Sequence, residues 1–293
     1  MELRVLNYFL MIAREENITK AAQILHVTQP TLSRQMMQLE EELGVKLFER
    51  SNHKIVLTDD GMLLKDRAKE ILTLVDKTKK DIGQEETLNG KLVIGSGEFK
   101  SCSMLASMLT SFRKRYPSVH YELYSGNADN IKEKIEKGLL DIGLLTNPVD
   151  IGKYEFIRIP EKEIWGMLVR KDSKLATKEY LTPEDIKGQN LIISVRELVQ
   201  NQFARWYGTE ISKINIAATY NLLYNAAIMV QKNMGIALCI DLDCHYDNLC
   251  FIPLLPRMET ESVLVWKKNQ TFTPTLNAFI KYAKKYNLGM GKD

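Results

Sequence analysis

The sequence contains little cysteine and no long apolar run, and each shortage excludes a class of protein. Four cysteines among 293 residues are too few for a disulfide-rich secreted domain, so we expect thiols. No apolar run approaches the roughly 18 to 20 residues that span a bilayer. The N-terminal segment is interrupted by Arg4, Asn7 and Arg14 and lacks the regions of a signal peptide. We therefore expect a cytoplasmic protein without a membrane partner.

The sequence also lacks a catalytic set. The "GSG" at 95–97 has neither the spacing nor the Lys-Ser/Thr pair of a phosphate loop. The histidines are scattered, and no paired carboxylates or nucleophile-base pair accompany them; they are His26, His53, His120 and His245. We predict that the protein is not an enzyme and has no catalytic residue, no cofactor and no bound metal.

A strong excess of charge of one sign is absent as well. The net charge is +3, and residues 1–90 carry 13 Lys and Arg against 15 Asp and Glu, a balance of −2. A nucleic-acid function must therefore rest on where the charges lie and not on their sum. The hydrophobic content of 45% and the length of 293 residues are those of a globular protein with two or three units.

Three short helices are predicted at the N-terminus. Apolar residues at three- and four-residue steps predict a helix over 2–15, and Thr19 is the candidate N-cap of a second. After the turn "HVT", Thr28 can cap a third helix that holds Pro30 in its first turn and ends at Gly44. Its apolar face consists of Leu32, Met36, Leu39 and Leu43.

The second and third helices form a helix-turn-helix pattern, and a polar face lies opposite the apolar one. Gln and Arg side chains bind base edges bidentately, while Thr and Ser reach phosphates or bases. A hairpin formed by "KLFE" and "KIVLT" can act as a wing. The candidate DNA-binding residues are Thr28, Gln29, Thr31, Ser33, Arg34 and Gln38 on the helix, with Arg50, His53 and Lys54 on the hairpin tip. The alternative is a helical domain with an ordinary polar surface.

A long helix is predicted next, with Thr58 as its cap. Its apolar residues step by four and three, which is coiled-coil spacing and predicts a dimerisation helix. This seam consists of Leu64, Ala68, Ile71, Val75, Thr78 and Ile82. The alternative is an amphipathic helix that packs on its own domain.

From residue 91 onward, strands and helices alternate in a doubly wound α/β pattern that forms two similar lobes. The terminal helix is expected to return to the first lobe. Ligands of such sheets bind beyond the carboxyl ends of the strands, near helix N-termini. The candidate effector-binding residues in these loops are Lys100, Ser101, Cys102, Ser125, Asn127, Thr146, Asn147, Ser194, Arg196 and Asn221. Each of them could instead be a simple cap or turn residue, whereas Lys100 and Arg196 would suit an organic anion.

Residues 2–61 resemble the N-terminal domain of the LysR-type transcriptional regulators. The matching pieces are "LNYF", "ITKAAQILHVTQPTLSRQMMQLEEELGVKLFER" and "VLTDDG", and the total length and the α/β lobes also fit the family. The resemblance implies an α+β multidomain fold with a winged helix-turn-helix, a long linker helix and a periplasmic-binding-protein-like α/β effector domain of two lobes. The expected domains are 1–58, the linker 59–88 and 91–293, with lobe I about 91–161 and 262–293 and lobe II about 162–261.

The resemblance also implies roles for single residues. It places Thr19 at the start of helix two near the DNA backbone, Gln29, Pro30, Ser33 and Arg34 at the DNA face of the recognition helix 29–43, and Arg50 in the wing. The wing tip "SNHK" departs from the arginine-rich tip of many relatives.

These observations predict a sequence-specific regulator that binds double-stranded DNA as a dimer or tetramer and is controlled by a small molecule in the cleft between its lobes. One alternative is a thiol-redox- or metal-responsive regulator that uses Cys102 or the 239–250 segment, although C-x4-C-x5-C is not a zinc-ligand spacing and Cys239 ends an apolar strand. A second alternative is a small-molecule-binding protein without a DNA function.

Overall fold

The chain folds into two compact units, Met1–Gly83 and Gln84–Asp293. The structure is a computed structural model that describes residues 1–51, 54–81, 88–242, 245–268, 272–287 and 289. Among the helices in these ranges, none combines the length and the apolar character needed to cross a membrane.

The N-terminal unit is a winged helix-turn-helix followed by a long helix. Its elements are α1 (Leu3–Glu15), α2 (Ile18–Ile24), α3 (Gln29–Leu43), β1 (Phe48–Ser51), β2 (Lys54–Leu57) and α4 (Asp59–Asp81). Strands β1 and β2 pair antiparallel, as the hairpin pattern predicted. The wing therefore includes Arg50 and Ser51 within β1, so the predicted tip is shorter than "RSNH".

Side-chain caps decide where these helices begin. Thr28 accepts a hydrogen bond from the backbone N–H of Thr31 at 3.4 Å, and Thr58 accepts one from Gly61 at 3.0 Å, as predicted. The predicted cap of α2 was wrong. Asn17 accepts from Lys20 N at 2.9 Å, and Thr19 lies inside the first turn. An Asn two residues earlier fits the same turn and takes the capping position.

A small core holds the helices of this unit together. Phe9 and Ile12 of α1 are fully buried, as are Ala21 of α2 and Leu32 of α3. Burial of one such aliphatic or aromatic side chain contributes about 1.5–3 kcal/mol. Leu43 does not belong to this core, because 39% of its surface is exposed.

The first half of the predicted α4 seam packs against the core of its own unit. Ala68 is fully buried, and Leu64 and Ile71 pack against the same core beside α1. A side chain that is buried within its own unit has no surface left for a partner helix. Ala68 therefore follows the alternative of a helix that packs on its own domain. The prediction that Ala68 lies in a dimer contact is corrected. Farther along α4, Val75 is half-buried and Thr78 is exposed, while Ile82 lies outside the described residues.

Glu40 ties α3 to the start of the wing. Its carboxylate accepts hydrogen bonds from Leu47 N at 2.8 Å and Phe48 N at 3.4 Å, and Lys46 Nζ lies at 2.8 Å. Burial raises the pKa of Glu40, but the bonds from these three groups outweigh it, so that the pKa lies below its ordinary value. A carboxyl with a lowered folded-state pKa stabilises the fold above its unfolded-state pKa, and this contribution is lost as the pH falls through the folded-state pKa.

We therefore expect Glu40→Gln to lower the free energy of unfolding of the N-terminal unit by about 1 kcal/mol at neutral pH. The difference from the wild type should shrink as the pH falls below the unfolded-state pKa of about 4.3 and through the lower folded-state pKa. Urea unfolding at neutral pH and at acid pH measures it. Glu41→Gln, at the exposed neighbouring position, is the control. A difference that stays constant with pH would contradict the role given to the charge.

The C-terminal unit is built on strands flanked by helices, with two short 3-10 turns at Lys174–Thr177 and Ile211–Lys213. Its strands are β3 (Lys91–Ser96), β4 (His120–Ser125), β5 (Ile142–Thr146), β6 (Tyr154–Arg170), β7 (Leu191–Ser194), β8 (Ile216–Tyr220), β9 (Ile236–Ile240), β10 (Leu249–Pro253) and β11 (Glu259–Lys267). Its helices are α5 (Cys102–Arg115), α6 (Ala128–Glu136), α7 (Glu197–Tyr207), α8 (Leu223–Gln231) and α9 (Pro274–Asn287). Strand β10 has no counterpart in the sequence prediction.

The long strand β6 joins two half-sheets. The described strands follow the order β4-β3-β5-β11-β6-β9-β7-β8, and β10 also pairs with β6. Up to Ile164, β6 pairs with β11, and from Trp165 onward it pairs with β9 and β10. Lobe I thus contains β3, β4, β5 and β11, and lobe II contains β7, β8, β9 and β10. The lobes meet within one continuous strand.

The helices cover the half-sheets as the alternating pattern predicted. In lobe I, α6 packs on β3, β5 and β11, and α9 packs against α5. The rings of Phe112 and Phe279 meet edge to face at 5.2 Å, so the terminal helix returns to the first lobe. In lobe II, α7 packs on β7, and α8 packs on β6, β8, β9 and β10. The carboxyl ends of β5, β7 and β8 are thereby brought beside the N-termini of α6, α7 and α8.

Candidate nucleic-acid interface and candidate ligand cavity

The face of α3 opposite the core presents a polar surface. Gln29, Thr31, Arg34 and Gln38 are exposed, and Ser33 is half-buried. The hydroxyls of Thr28 and Thr31 lie 2.8 Å apart, so the first turn is held by its own side chains. Within the described part of the chain, the Arg34 guanidinium has neither a hydrogen bond nor an ion pair. The helix therefore offers one uncompensated cation among neutral hydrogen-bonding groups.

The carboxylates at the far end of α3 are compensated locally. Glu40 binds Lys46, and the N-terminal amino group of Met1 lies 2.5 Å from Glu42. These contacts lower the negative field near the exposed face, and the unit as a whole carries 13 Lys and Arg against 13 Asp and Glu. The position of each charge, and not the net charge, sets the potential that a nearby phosphate would meet.

The other predicted DNA-binding residues lie around this helix. Thr19 is exposed on α2, and Pro30 is exposed in the first turn of α3. Arg50 lies in β1 opposite Ile55, and Lys54 begins β2 opposite Ser51. His53 lies outside the described residues. The helix face and the hairpin thus belong to one compact unit.

A cavity of about 80 Å³ lies between the two lobes. Five of the predicted effector residues line it, namely Asn127, Thr146, Ser194, Arg196 and Asn221. Other lining residues were not singled out from the sequence, chief among them Glu98, Trp165 and Tyr220. Burial raises the pKa of Tyr220 well above its ordinary value, and its hydroxyl donates to Leu238 O at 2.6 Å.

Arg196 bridges the lobes at this cavity. It precedes α7 in lobe II, and its side chain is only 6% exposed. Its Nη2 donates to the carbonyl of Pro148 at 2.7 Å, and its Nε donates to Asp129 at 3.3 Å, both in lobe I. The partner carboxylate of Asp129 is 59% exposed, so solvent screens its charge far more than that of the arginine.

Glu98 makes a second bridge between the lobes. It follows β3 in lobe I, and its Oε2 accepts a hydrogen bond from the backbone N–H of Leu223 at 2.6 Å. Leu223 is the first residue of α8 in lobe II, so the carboxylate satisfies a free donor and faces the positive end of the helix dipole. Together with Arg196, this contact links the two lobes across the cavity.

Asn127 and Asn221 combine a structural role with a place at the cavity. Asn127 Oδ1 accepts from Asp129 N and Asn130 N, each at 3.0 Å, and so caps α6. Asn221 Oδ1 accepts from Leu222 N at 3.0 Å just before α8. The capping interpretation therefore holds for their oxygen atoms, while their amide groups face no partner in the described part of the chain.

The structure does not place the other five predicted effector residues at the cavity. The reason at the start of α5 is Glu163, which is 1% exposed and accepts from Lys100 N at 3.0 Å, Ser101 N at 2.9 Å and the Ser101 hydroxyl. Its carboxylate occupies the helix N-terminus where an effector was expected. The prediction is therefore corrected for Ser101, whose hydroxyl is bound to Glu163, while the roles of the Lys100 and Cys102 side chains stay predictions.

The two remaining misplaced residues lie on other surfaces. Ser125 is exposed at the end of the edge strand β4. Asn147 donates through its backbone N–H to Glu261 O at 3.0 Å, and its carbonyl accepts from Thr260 at 2.7 Å. The backbone pairing between the end of β5 and β11 turns Asn147 away from the cavity, toward a separate hollow.

None of the three described cysteines forms a disulfide. The Cys102 thiol donates to Gly97 O at 3.1 Å, an interaction that holds its hydrogen. Cys239 is buried in β9, as predicted, and burial raises the pKa of Cys250. In the ranges that the structure describes, no group of three His, Cys, Asp or Glu side chains could hold a metal ion, while Asp243 and Cys244 lie outside those ranges.

Comparisons with known proteins match both units. Residues 3–62 match the family described as bacterial regulatory helix-turn-helix protein, lysR family, and residues 85–287 match the LysR substrate binding domain. The Hca operon transcriptional activator HcaR of Escherichia coli K12 is 29% identical and is covered over 96% of both chains. The regulator BsdA of Bacillus subtilis 168 is 34% identical over 55% of this chain and 56% of its own.

The solved structures show the same fold. CbnR, a LysR family transcriptional regulator, superimposes with a TM-score of 0.75 at 21% identity and full coverage of both chains. Full-length CbnR complexed with its target DNA superimposes with a TM-score of 0.74, also at 21% identity, over 97% of this chain and 99% of that one.

Proposed function

The chain belongs to the LysR family of DNA-binding transcriptional regulators that carry an effector-binding domain, and we propose that its α3 reads DNA while the cavity between its lobes binds the controlling small molecule. The family match over residues 3–62 decides against a binding protein without a DNA function. HcaR is a transcriptional activator. Whether this chain activates or represses transcription does not follow from that similarity.

The uncompensated Arg34 carries the assignment of the DNA-reading face. A guanidinium on an exposed helix face forms bidentate bonds to guanine or phosphate without first breaking an internal ion pair. Gln29, Thr31 and Ser33 lie on the same first turns and supply base-edge and phosphate contacts. The crystal structure of CbnR with DNA supports this use of the fold, since the two chains share it.

The second half of α4 is the proposed dimer contact. Val75 and Thr78 are not part of the core of their own unit, in contrast to Leu64 and Ala68. Beyond the part of α4 that packs on its own unit, the seam residues continue at steps of four and three. This spacing suits contact with a second copy of the helix. A dimer built this way carries two recognition helices, and we expect it to read two half-sites.

Selection of duplexes from a random library with the full chain tests this function. We expect enrichment of a pseudo-palindrome whose half-sites are about 10 base pairs or a multiple of that apart. Affinity should fall with salt at a slope of about −0.9 per phosphate contact. A shuffled duplex of the same composition is the control and should bind at least about a thousandfold more weakly. Equal affinity for both duplexes would refute sequence-specific reading.

Control by the cavity follows from its place between the lobes. The Arg196 and Glu98 bridges link the lobes across it, and a ligand that binds the closed form more tightly than an open one shifts the population toward closure. Since both lobes share β6, the shift changes the angle at which the half-sheets meet. That change is the proposed signal from the effector-binding domain.

A further inference from the structure

Trp165 has an unused hydrogen-bond donor beside the cavity. The residue lies in β6 where the strand passes from lobe I to lobe II, and its side chain is 4% exposed. In the described part of the chain its Nε1 is buried and has no acceptor. Buried indole N–H groups nearly always have a partner. Trp165 is also one of the residues that line the cavity.

Apart from the second carboxylate oxygen of Glu98, the other free groups at the cavity are also donors. The hydroxyl of Thr146 has no hydrogen bond among the described residues, and no acceptor is found there for the hydroxyl proton of Ser194. Arg196 uses Nε and Nη2, while Nη1 is unengaged in the same part of the chain. The Asn127 and Asn221 oxygens already accept backbone N–H groups, so their amide groups are what remains. A ligand that satisfies this set supplies acceptors.

The charge at the cavity favours an anionic acceptor. Arg196 is almost fully buried, whereas its partner Asp129 is largely exposed and screened. The N-termini of α6 and α7 lie beside the same space, each equivalent to roughly half a positive charge. The N-termini of α5 and α8 are excluded, because the carboxylates of Glu163 and Glu98 already occupy them. Glu98 offsets part of this positive potential, but its bond to Leu223 directs Oε2 at a helix terminus.

The size and the lining of the cavity restrict the anion further. Its volume of about 80 Å³ is roughly half that of the ~150 Å³ apolar cavity that holds benzene. Apolar side chains complete the lining, including Phe99, Leu144, Val199, Ile240 and Leu242. An inorganic oxyanion would leave this surface without a contact, and an aromatic acid would force the lobes apart.

We propose that the effector of this regulator is a short-chain aliphatic carboxylate whose oxygens are bound by Trp165 Nε1 and Arg196. This assignment rests on the proposed effector function of the cavity and deepens it. The carboxylate accepts from the indole and the guanidinium, Thr146 and Ser194 complete its hydrogen bonds, and a tail of roughly two to four carbons contacts the apolar lining. Trp165 is thus a specificity-determining residue. It was not among the effector-binding residues predicted from the sequence, which were all taken from loops.

Calorimetric titration of the full chain with sodium propionate at fixed ionic strength tests the ligand class. We expect binding of propionate, at least about tenfold weaker binding of propionamide and 1-propanol, and no binding of sodium sulfate. Benzoate should bind more weakly than propionate. Equal affinities for propionate and 1-propanol would show that the charge is not recognised and would overturn the proposal, and so would binding of sulfate.

Trp165→Phe tests the assigned donor. The variant keeps an aromatic ring and removes only the N–H, so we expect propionate to bind roughly ten- to a hundredfold more weakly. The melting temperature without ligand should not fall, because the N–H has no partner to lose. Trp206→Phe is the matched control, since Trp206 Nε1 donates to Pro256 O at 2.7 Å away from the cavity, and it should bind propionate like the wild type. Undiminished binding by Trp165→Phe would overturn the role of Trp165.

A duplex titration of the same protein keeps this proposal separate from the proposed function. If the selected duplex binds but no carboxylate produces heat at millimolar concentrations, the ligand class is wrong and the DNA function stands. If the duplex itself is not bound specifically, the proposed DNA reading fails whatever the cavity binds. A change in duplex affinity with propionate that is lost in Trp165→Phe would support both.

Discussion

Replacing Arg34 by Ala should weaken the binding of the selected duplex by about 1–3 kcal/mol for each recognition helix, and hence by about 2–6 kcal/mol for a dimer. The guanidinium is exposed on α3 and has no internal partner among the described residues, so its removal costs little folding stability. The whole effect should therefore appear in DNA binding. A titration of the duplex at several salt concentrations with the full chain measures it.

The same titration distinguishes the two partners that Arg34 can have. If the guanidinium binds a base, the loss is larger for the selected duplex than for the shuffled one, and specificity relaxes at one position of each half-site. If it binds phosphate, both affinities fall equally, and the salt slope decreases by about 1 per helix. Arg34→Lys keeps the charge but loses the bidentate geometry, and so it should restore binding only in the phosphate case.

Arg67→Ala is the matched control for Arg34→Ala. It removes the same charge from the same unit, but Arg67 is exposed on α4 and already pairs with Glu70 at 3.1 Å. We expect little change in duplex affinity, because a surface ion pair contributes little and α4 is not the reading helix. Equal losses in the two variants would show that only net charge matters, and the assignment of α3 would be wrong.

Much of the N-terminal unit was predictable because its signals are local. Thr28, Pro30 and Gly44 delimit α3 through contacts within four residues, and the pattern of Leu32, Met36 and Leu39 points directly at the core. The cap of α2 was missed because Asn17 and Thr19 both suit the position, and the choice depends on the turn that follows Glu16 in a left-handed conformation. A local pattern cannot decide between two candidates that lie two residues apart.

The cavity was predictable only in part. Loops after β5, β7 and β8 were correctly expected to converge, because parallel strands end at one edge of a sheet. The sequence did not indicate that Glu163 would fill the N-terminus of α5, since 62 residues separate it from Ser101. Trp165 was missed for the same reason, as it lies in a strand and not in a loop. The positions of Glu163 and Trp165 both result from β6 running from lobe I into lobe II. No local sequence pattern indicates that one strand would join the two lobes.

Glu163 and Trp165 together explain why the site differs from a simple helix-terminus site. The carboxylate of Glu163 occupies the N-terminus of α5 in lobe I. The hydrogen-bond donors that have no acceptor, such as Trp165 Nε1, lie at the boundary with lobe II. An effector that binds there contacts both lobes, whereas one bound at α5 would contact mainly lobe I. A ligand can shift the closure of the lobes only if it interacts differently with the closed and open forms. On the proposed assignment, the internal carboxylate of Glu163 leaves the boundary between the lobes as the effector site.

Glu163→Ala should be the most destabilising of the substitutions considered for the C-terminal unit. It leaves Lys100 N, Ser101 N and the hydroxyls of Ser101 and Ser262 buried without their acceptor, and Ser262 Oγ lies 3.1 Å from the carboxylate. Each unsatisfied buried donor costs about 1–3 kcal/mol, and relaxation recovers part of the sum. We expect the free energy of unfolding to fall by about 3–5 kcal/mol. Urea unfolding that follows the C-terminal unit measures this loss.

Two further variants separate the charge of Glu163 from its volume. Glu163→Gln keeps the shape but brings an amide N–H₂ to face donors, so we expect about half the loss of Glu163→Ala. Glu261→Ala, at a 46% exposed position on the neighbouring strand, is the control and should change the free energy of unfolding by less than about 0.5 kcal/mol. Added formate fits the space that Ala leaves and should raise the melting temperature of Glu163→Ala more than that of the wild type, because it binds only the folded variant. If formate has no such effect and Glu163→Gln is as stable as the wild type, Glu163 acts through packing alone, and the N-terminus of α5 is not an anion site.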